Sequence, residues 1–186
     1  MSAALLVLRI VPGLLFMGHG LQKLVPARYS PPLLHATGPA QMAGFFEQIG
    51  LRPGLLTATL AGLGELGGGL LIALGLVTPL AAVLLAAVMT TAILTVHLRK
   101  GIWSTEGGFE YPLVMLTVAY AVAAIGPGAY SVDSWAGIGN WAGVHWAAAD
   151  AVRAGAAVGI GAAAGLLTMA VGRIRLAIER RAPHPA

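Results

Sequence analysis

The sequence predicts an all-α integral membrane protein, with four core spans and a fifth C-terminal span, the N-terminus outside and the C-terminus inside. Three observations predict it. Apolar runs occupy residues 5–24, 55–76, 80–98, 111–125 with their flanks, and, more weakly, 154–171. A span needs roughly 20 apolar residues at about 1.5 Å rise each. The chain is 58% hydrophobic and only 10% charged over 186 residues, outside the range of ordinary soluble domains. Finally, nine of the eleven Lys and Arg residues fall on one side once the runs alternate across a bilayer. These are Lys23, Arg28, Arg52, Arg99, Lys100, Arg173, Arg175, Arg180 and Arg181. The positive-inside rule makes that side cytoplasmic. Arg9 and Arg153 remain on the other side, each just inside a span end from which it can snorkel.

The elements follow in order. Run one lacks a basic n-region and a small-x-small cleavage site, so it reads as a retained span rather than a removed signal peptide. Pro26, Pro31, Pro32, Gly38 and Pro39 keep the start of the next loop non-helical. Met42, Phe45, Phe46 and Ile49 then recur at helical spacing, predicting a short amphipathic helix near residues 40–50 that packs on the bundle or lies in the interface. Thr78-Pro79 reads as the outer turn between spans two and three, Gly107-Gly108 as an inner turn, and Gly126-Pro127-Gly128 as the end of span four. A segment with Tyr130, Trp135, Trp141 and Trp146 suits the headgroup layer. Asp150 is placed to cap span five, which carries the pairs Gly155/Gly159 and Gly161/Gly165. Residues 1–135 thus form a core, and residues 136–186 add the Trp-rich segment, the fifth span and a basic tail.

Composition also excludes functions. The chain has no cysteine, so it holds no disulfide, iron–sulfur ligand or thiol relay of its own. Its basic residues flank spans, where they orient the chain and meet anionic lipid, which argues against nucleic acid as a partner. The Gly67-Gly68-Gly69 run follows no strand and reads as a helix contact, not a phosphate loop.

Ionisable groups inside spans cost about 2.5–3.5 kcal/mol each on insertion scales and therefore mark candidate sites. Arg9, His19 and Lys23 share one stripe of span one with Pro12 and Phe16. Glu65 is central in span two, while His97 and Glu110 sit at the inner ends of spans three and four. Counting from span centres puts Arg9 about 7 Å outward and His19 about 7 Å inward, with His97, Glu110 and Lys23 at roughly 12–14 Å. A polar column is expected, running from Arg9 through Glu65 and His19 to the Glu110, His97 and Lys23 group. Two readings compete for it. In one, Arg9–Glu65 and Lys23–Glu110 are buried ion pairs that set helix register. In the other, the column is a proton path or a polar site for the head of a lipid-soluble substrate such as a quinone, which needs donors at its carbonyls and protons on reduction. His19 and His97 could also be axial haem ligands, but their depths differ by about 6 Å, which argues against haem. His35, His145 and His184 lie in loops without metal-ligand spacing.

Six segments in order resemble the DoxX family of small membrane proteins. Leu8-Arg9 with Gly18-His19-Gly20-Leu21-Gln22-Lys23 opens the series. It continues with Gly64-Glu65-Leu66-Gly67-Gly68, then Gly75-Leu76-Val77-Thr78-Pro79, then His97 with Gly101-Ile102-Trp103. Gly107-Gly108-Phe109-Glu110-Tyr111-Pro112-Leu113 and Gly126-Pro127-Gly128-Ala129-Tyr130-Ser131-Val132-Asp133 complete it. The resemblance implies a four-helix bacterial inner-membrane core, related to the DoxD subunit of an archaeal thiosulfate:quinone oxidoreductase. It further implies a subunit that passes electrons from a sulfur compound or partner enzyme to quinone, in some relatives within oxidative-stress complexes. Arg9, His19, Lys23, Glu65 and Glu110 occupy the family's motif positions. On this reading Glu65, His19 and Glu110 bind or protonate the quinone head, with His97 nearby, and Arg9 and Lys23 tune the carboxylates. A protein partner supplies the electrons, and a homo-oligomer is compatible. Span five lies beyond the usual core. Distant relatives act as chaperones or cargo receptors, so a scaffold or chaperone that recruits partners stands as an alternative, and the polar column also fits a small-solute or proton channel.

Overall fold

The computed structural model describes residues 2–138, 140–141, 144–145 and 150–181. It is an all-helical bundle. Helix α1 is Ser2–Leu24, α2 Gly38–Gln48, α3 Gly54–Leu74, α4 Thr78–Ala92, α5 Glu110–Ile125, α6 Val132–Trp135 and α7 Ala151–Arg181. A two-residue hairpin, β1 Asn140–Trp141 against β2 Val144–His145, lies before α7. Four helices, Ala3–Leu24, Gly54–Leu74, Thr78–Lys100 and Ala151–Glu179, are long and apolar enough to cross a membrane. Helix α5 is apolar but has 16 residues, about 24 Å of rise.

Small residues decide how the helices meet. A Cβ on Gly13 would strike Gly69 and Ala73, and one on Gly20 would strike Leu66 and Gly62. Helices α1 and α3 therefore run antiparallel with backbones almost touching. Gly161 and Gly165 seat α7 against Val83, Ala86, Ala87 and Thr91 of α4, in parallel, while a Cβ on Gly155 or Gly159 would meet nothing within 4 Å among the described residues. The centre is filled by Phe16, Leu85 and Val122 among alanines such as Ala81, Ala82, Ala119 and Ala154. Larger side chains, including Leu14, Leu55, Leu63, Leu113 and Leu166, point outward. Small inside and large outside is the packing expected where lipid, not water, is the solvent.

The ends of the bundle are distinct. Gly172 of α7 packs on Gly50 and Leu51, level with the start of α3 and the end of α1. The nine basic residues named above therefore gather at one end, as the alternation of the spans predicts. At the other end the turn into α4 differs from expectation. Thr78 and Pro79 form the first turn of α4, where proline is favoured because its missing N–H would be unpaired anyway. The turn itself is Gly75 to Val77, both in the left-handed region, with Gly75 ending α3. Gly107 makes the opposite turn at φ 77°, and the Oδ1 of Asp150 accepts from the N–H groups of Val152 and Arg153, capping α7 as predicted. Tyr130 and Trp135 are exposed; Trp141 lies in the hairpin, and Trp146 and His184 fall outside the described residues.

Candidate functional site

The antiparallel register of α1 and α3 sets Glu65 level with residues 17–20 of α1. Lys23 is then three to six residues away, roughly 5–9 Å along the axis. Helical side chains lean toward their own N-terminus. In an antiparallel pair that tilts Lys23 and Glu65 toward each other. Lys23 Nζ lies 2.6 Å from Glu65 Oε2, with Glu65 only 5% exposed, and also reaches the His19 carbonyl at 3.3 Å.

The expected Arg9–Glu65 pair is not formed. Arg9 stands on the far side of Glu65, and its side chain leans outward, away from it. It is fully buried and donates to the carbonyls of Pro127, at 2.5 Å, and Tyr130. Asp133, also fully buried, adds an attractive charge and accepts at Oδ1 from Val77 N–H at 3.1 Å. Arg9 and Asp133 thus clasp the start of α1, the α3–α4 turn and the α5–α6 loop. Nor does Glu110 pair with Lys23. It takes the hydroxyl and the N–H of Ser104 in the preceding loop, and it is absent from the cavity that Lys23 lines. The continuous column is therefore corrected to two separate clusters: the Arg9–Asp133 clasp at one end, and a group with Glu65 toward the basic end.

That second group opens on a cavity of about 620 Å³ lined by residues of α1, α2, α3, α4, α5 and α7. His19, Lys23, Glu65 and His97 all line it, together with Tyr111, which the sequence alone does not mark as a site residue. Tyr111 packs its ring 5.9 Å from that of His19 and lies within electrostatic reach of Glu65, and its buried hydroxyl has no hydrogen-bond partner among the described residues. The remaining wall is mainly apolar. Helix α2 contributes Met42, Phe45 and Phe46, so the predicted packing helix covers one side of the cavity. His35, exposed in its loop, also lines it.

The end of α4 shapes the remaining side. Thr91 and Thr95 return hydroxyl hydrogen bonds to the carbonyls four residues back, and the helix widens to π geometry over Ile93–His97. His97 Nδ1 lies 2.7 Å from the Gly107 carbonyl. A carbonyl only accepts, so Nδ1 carries the proton and Nε2 of a neutral ring is an acceptor. The cavity therefore combines the Lys23 ammonium, the Tyr111 hydroxyl, the Glu65 carboxylate and three imidazoles with room for an apolar body. Such a wall can donate to, and exchange protons with, a polar head whose remainder is greasy.

Known proteins agree with this class. A family model described as DoxX matches residues 4–98, about half of the chain. An uncharacterized membrane protein of Mycobacterium tuberculosis is 32% identical over 137 residues, covering 68% of this chain and 77% of that one. CatD of Bacillus subtilis, named as a candidate oxidoreductase, is 32% identical over 117 residues, covering 63% of this chain and 76% of its own. No solved structure matches. The matched segment contains Arg9, His19, Lys23, Glu65 and His97, and the chain belongs to the DoxX family of membrane proteins.

Proposed function

We propose that the protein is the membrane subunit of a quinone-linked oxidoreductase complex in the bacterial inner membrane, its basic end cytoplasmic, and that the 620 Å³ cavity receives the quinone head. The observation that carries this reading is the Lys23–Glu65 pair set in the wall of a mainly apolar cavity. The buried Tyr111 hydroxyl, unpartnered among the described residues, fits the same group, since a carbonyl oxygen would supply an acceptor. A bound quinone would supply the redox chemistry, taking two electrons from a partner protein and two protons from the site.

The chain's own residues would do the rest. Lys23, held by Glu65, presents a fixed ammonium donor at the cavity wall. His97, with Nδ1 held by Gly107, offers Nε2 as a hydrogen-bond acceptor at the cavity wall. His19 shares the wall with Tyr111 and fixes the orientation of its ring. The mainly apolar lining restricts water around these groups and strengthens each hydrogen bond. Glu110 and Arg9 do not line the cavity and have no place at the head group in this reading. The absence of cysteine leaves electron delivery to the partner. The Bacillus relative named as a candidate oxidoreductase supports redox chemistry over a scaffold or a channel.

The test is quinone content and binding. Lipid extracted from the purified protein should contain quinone, and decylubiquinone should bind saturably. Glu65→Gln and Lys23→Met should each weaken that binding at least tenfold, the loss expected for one charge-assisted contact. Wild-type protein that holds no quinone and binds no decylubiquinone would end the proposal.

A further inference from the structure

A second concavity, of about 280 Å³, lies beside the first at the basic end. Its wall comes from four separate places: Gln48 at the end of α2, Ile49, Gly50 and Leu51 in the following turn, Leu94, Thr95 and Arg99 at the end of α4, and Met169 and Arg173 on α7. It therefore holds two arginines and no acid. The carboxylates of this end are engaged elsewhere. Glu47 accepts from Gly54 N–H, Glu65 pairs with Lys23, Glu110 accepts from Ser104, and Glu179 pairs with Arg52. Glu106 lies outside the wall, and neither Arg99 nor Arg173 has an ion-pair partner among the described residues.

Two guanidinium groups from different helices, converging on one hollow, suit a phosphate, whose oxygens accept from planar forks of N–H donors. Their level in the bundle says which phosphate. Arg99 and Arg173 follow the apolar runs 80–98 and 154–171, the level at which lipid head groups begin. Ile49, Leu51 and Thr95 are shared with the larger cavity, so an apolar wall continues directly from the arginines. A free anion would use the arginines alone; an anionic phospholipid would use both surfaces. Basic pockets between spans on the cytoplasmic side are suited to such head groups.

We propose that Arg99 and Arg173 form a binding site for the phosphate of an anionic phospholipid, which stands at the mouth of the cavity and staples α2 and its following turn to α4 and α7. This site is independent of what the larger cavity holds.

The experiment uses the full chain, delipidated in a neutral detergent and re-exposed to mixed micelles containing equal phosphatidylglycerol and phosphatidylcholine. Native mass spectrometry reads the lipid retained. Wild type should retain phosphatidylglycerol preferentially. With about fivefold per arginine near a membrane surface, Arg99→Gln with Arg173→Gln should cut that preference about thirtyfold. Lys100→Gln with Arg175→Gln removes the same charge from residues outside the pocket and should leave it intact. Unchanged elution and circular dichroism establish that the variants fold, and the Arg→Lys pair, which keeps charge but loses the fork, should fall between. Equal loss in both double variants, or no loss in the first, would overturn the proposal. Displacement of the lipid by 10 mM inorganic phosphate alone would also overturn it, because the site would then be one for a free anion.

Discussion

Cutting the Lys23–Glu65 pair from its two sides should have unequal costs. At 2.6 Å and an effective dielectric near 20, the attraction is on the order of 6 kcal/mol before desolvation is subtracted. Lys23→Met removes the cation and leaves Glu65, 5% exposed, with no counter-charge. Loss of one partner of a buried pair costs about 3–5 kcal/mol, and the 17% exposure of Lys23 argues for about 3. Glu65→Gln frees Lys23 instead, and a long flexible stem three to six residues nearer the basic end can swing to water. That change should cost about 1 kcal/mol. The double variant removes the orphaned charge and should be more stable than Lys23→Met alone, a coupling of about 2 kcal/mol. Unfolding in mixed detergent–dodecyl sulfate micelles, followed by far-ultraviolet circular dichroism, gives all three values. Equal single-variant costs that add in the double variant would refute the reasoning, because the two charges would then be independent.

Three further outcomes follow from the packing. Gly75→Ala should destabilise the protein by more than about 2 kcal/mol, as judged by thermal aggregation in detergent. Its φ is 63° and the added Cβ would fall 1.8 Å from an Arg9 nitrogen, breaking the clasp. Gly20→Ala should lose about 1–3 kcal/mol because its Cβ meets the Leu66 backbone at 2.5 Å, whereas Gly67→Ala, with nothing within 4 Å, should gain about 0.5–1 kcal/mol in the same assay. The Asp150 carboxylate is held below the usual aspartate range by the Arg153 backbone N–H first, and by Arg153's side chain and the Val152 N–H. A depressed folded value makes the cap fully present above the unfolded pKa and lost as pH falls through the folded one. Amide exchange at the start of α7 should therefore accelerate only in acid, and Asp150→Asn should abolish that acid dependence.

The spans were legible because apolar runs of membrane length carry a strong signal, and the loop prolines and glycines punctuate them. The common basic end was legible for the same reason. The partners of the buried charges were not. Depths counted from span centres paired Arg9 with Glu65, but the register is set by which glycines touch, Gly13 on Gly69 and Gly20 on Gly62, and no spacing within one helix reveals that. The lean of helical side chains toward their own N-terminus was available from the start, and it favours Lys23 over Arg9 once α3 is taken as antiparallel. Tyr111 carries no formal charge, so nothing in the pattern of charged residues within the spans marks it. The clasp around Asp133 needed the α5–α6 loop to fold back onto Gly75 and Val77, a contact 56 residues apart from Val77 to Asp133.

The mutual lean of Lys23 and Glu65 also bears on how the chain enters its membrane. Helix α3 on its own would carry a bare carboxylate into hydrocarbon, at about 2.5–3.5 kcal/mol against partitioning. Its cation resides on α1, which is synthesised first, and the glycine-to-glycine seam lets the two helices close before α4 appears. The first span is therefore a companion for the second as well as an anchor. The two should leave the insertion machinery as a hairpin, with release of α3 delayed whenever Lys23 is missing.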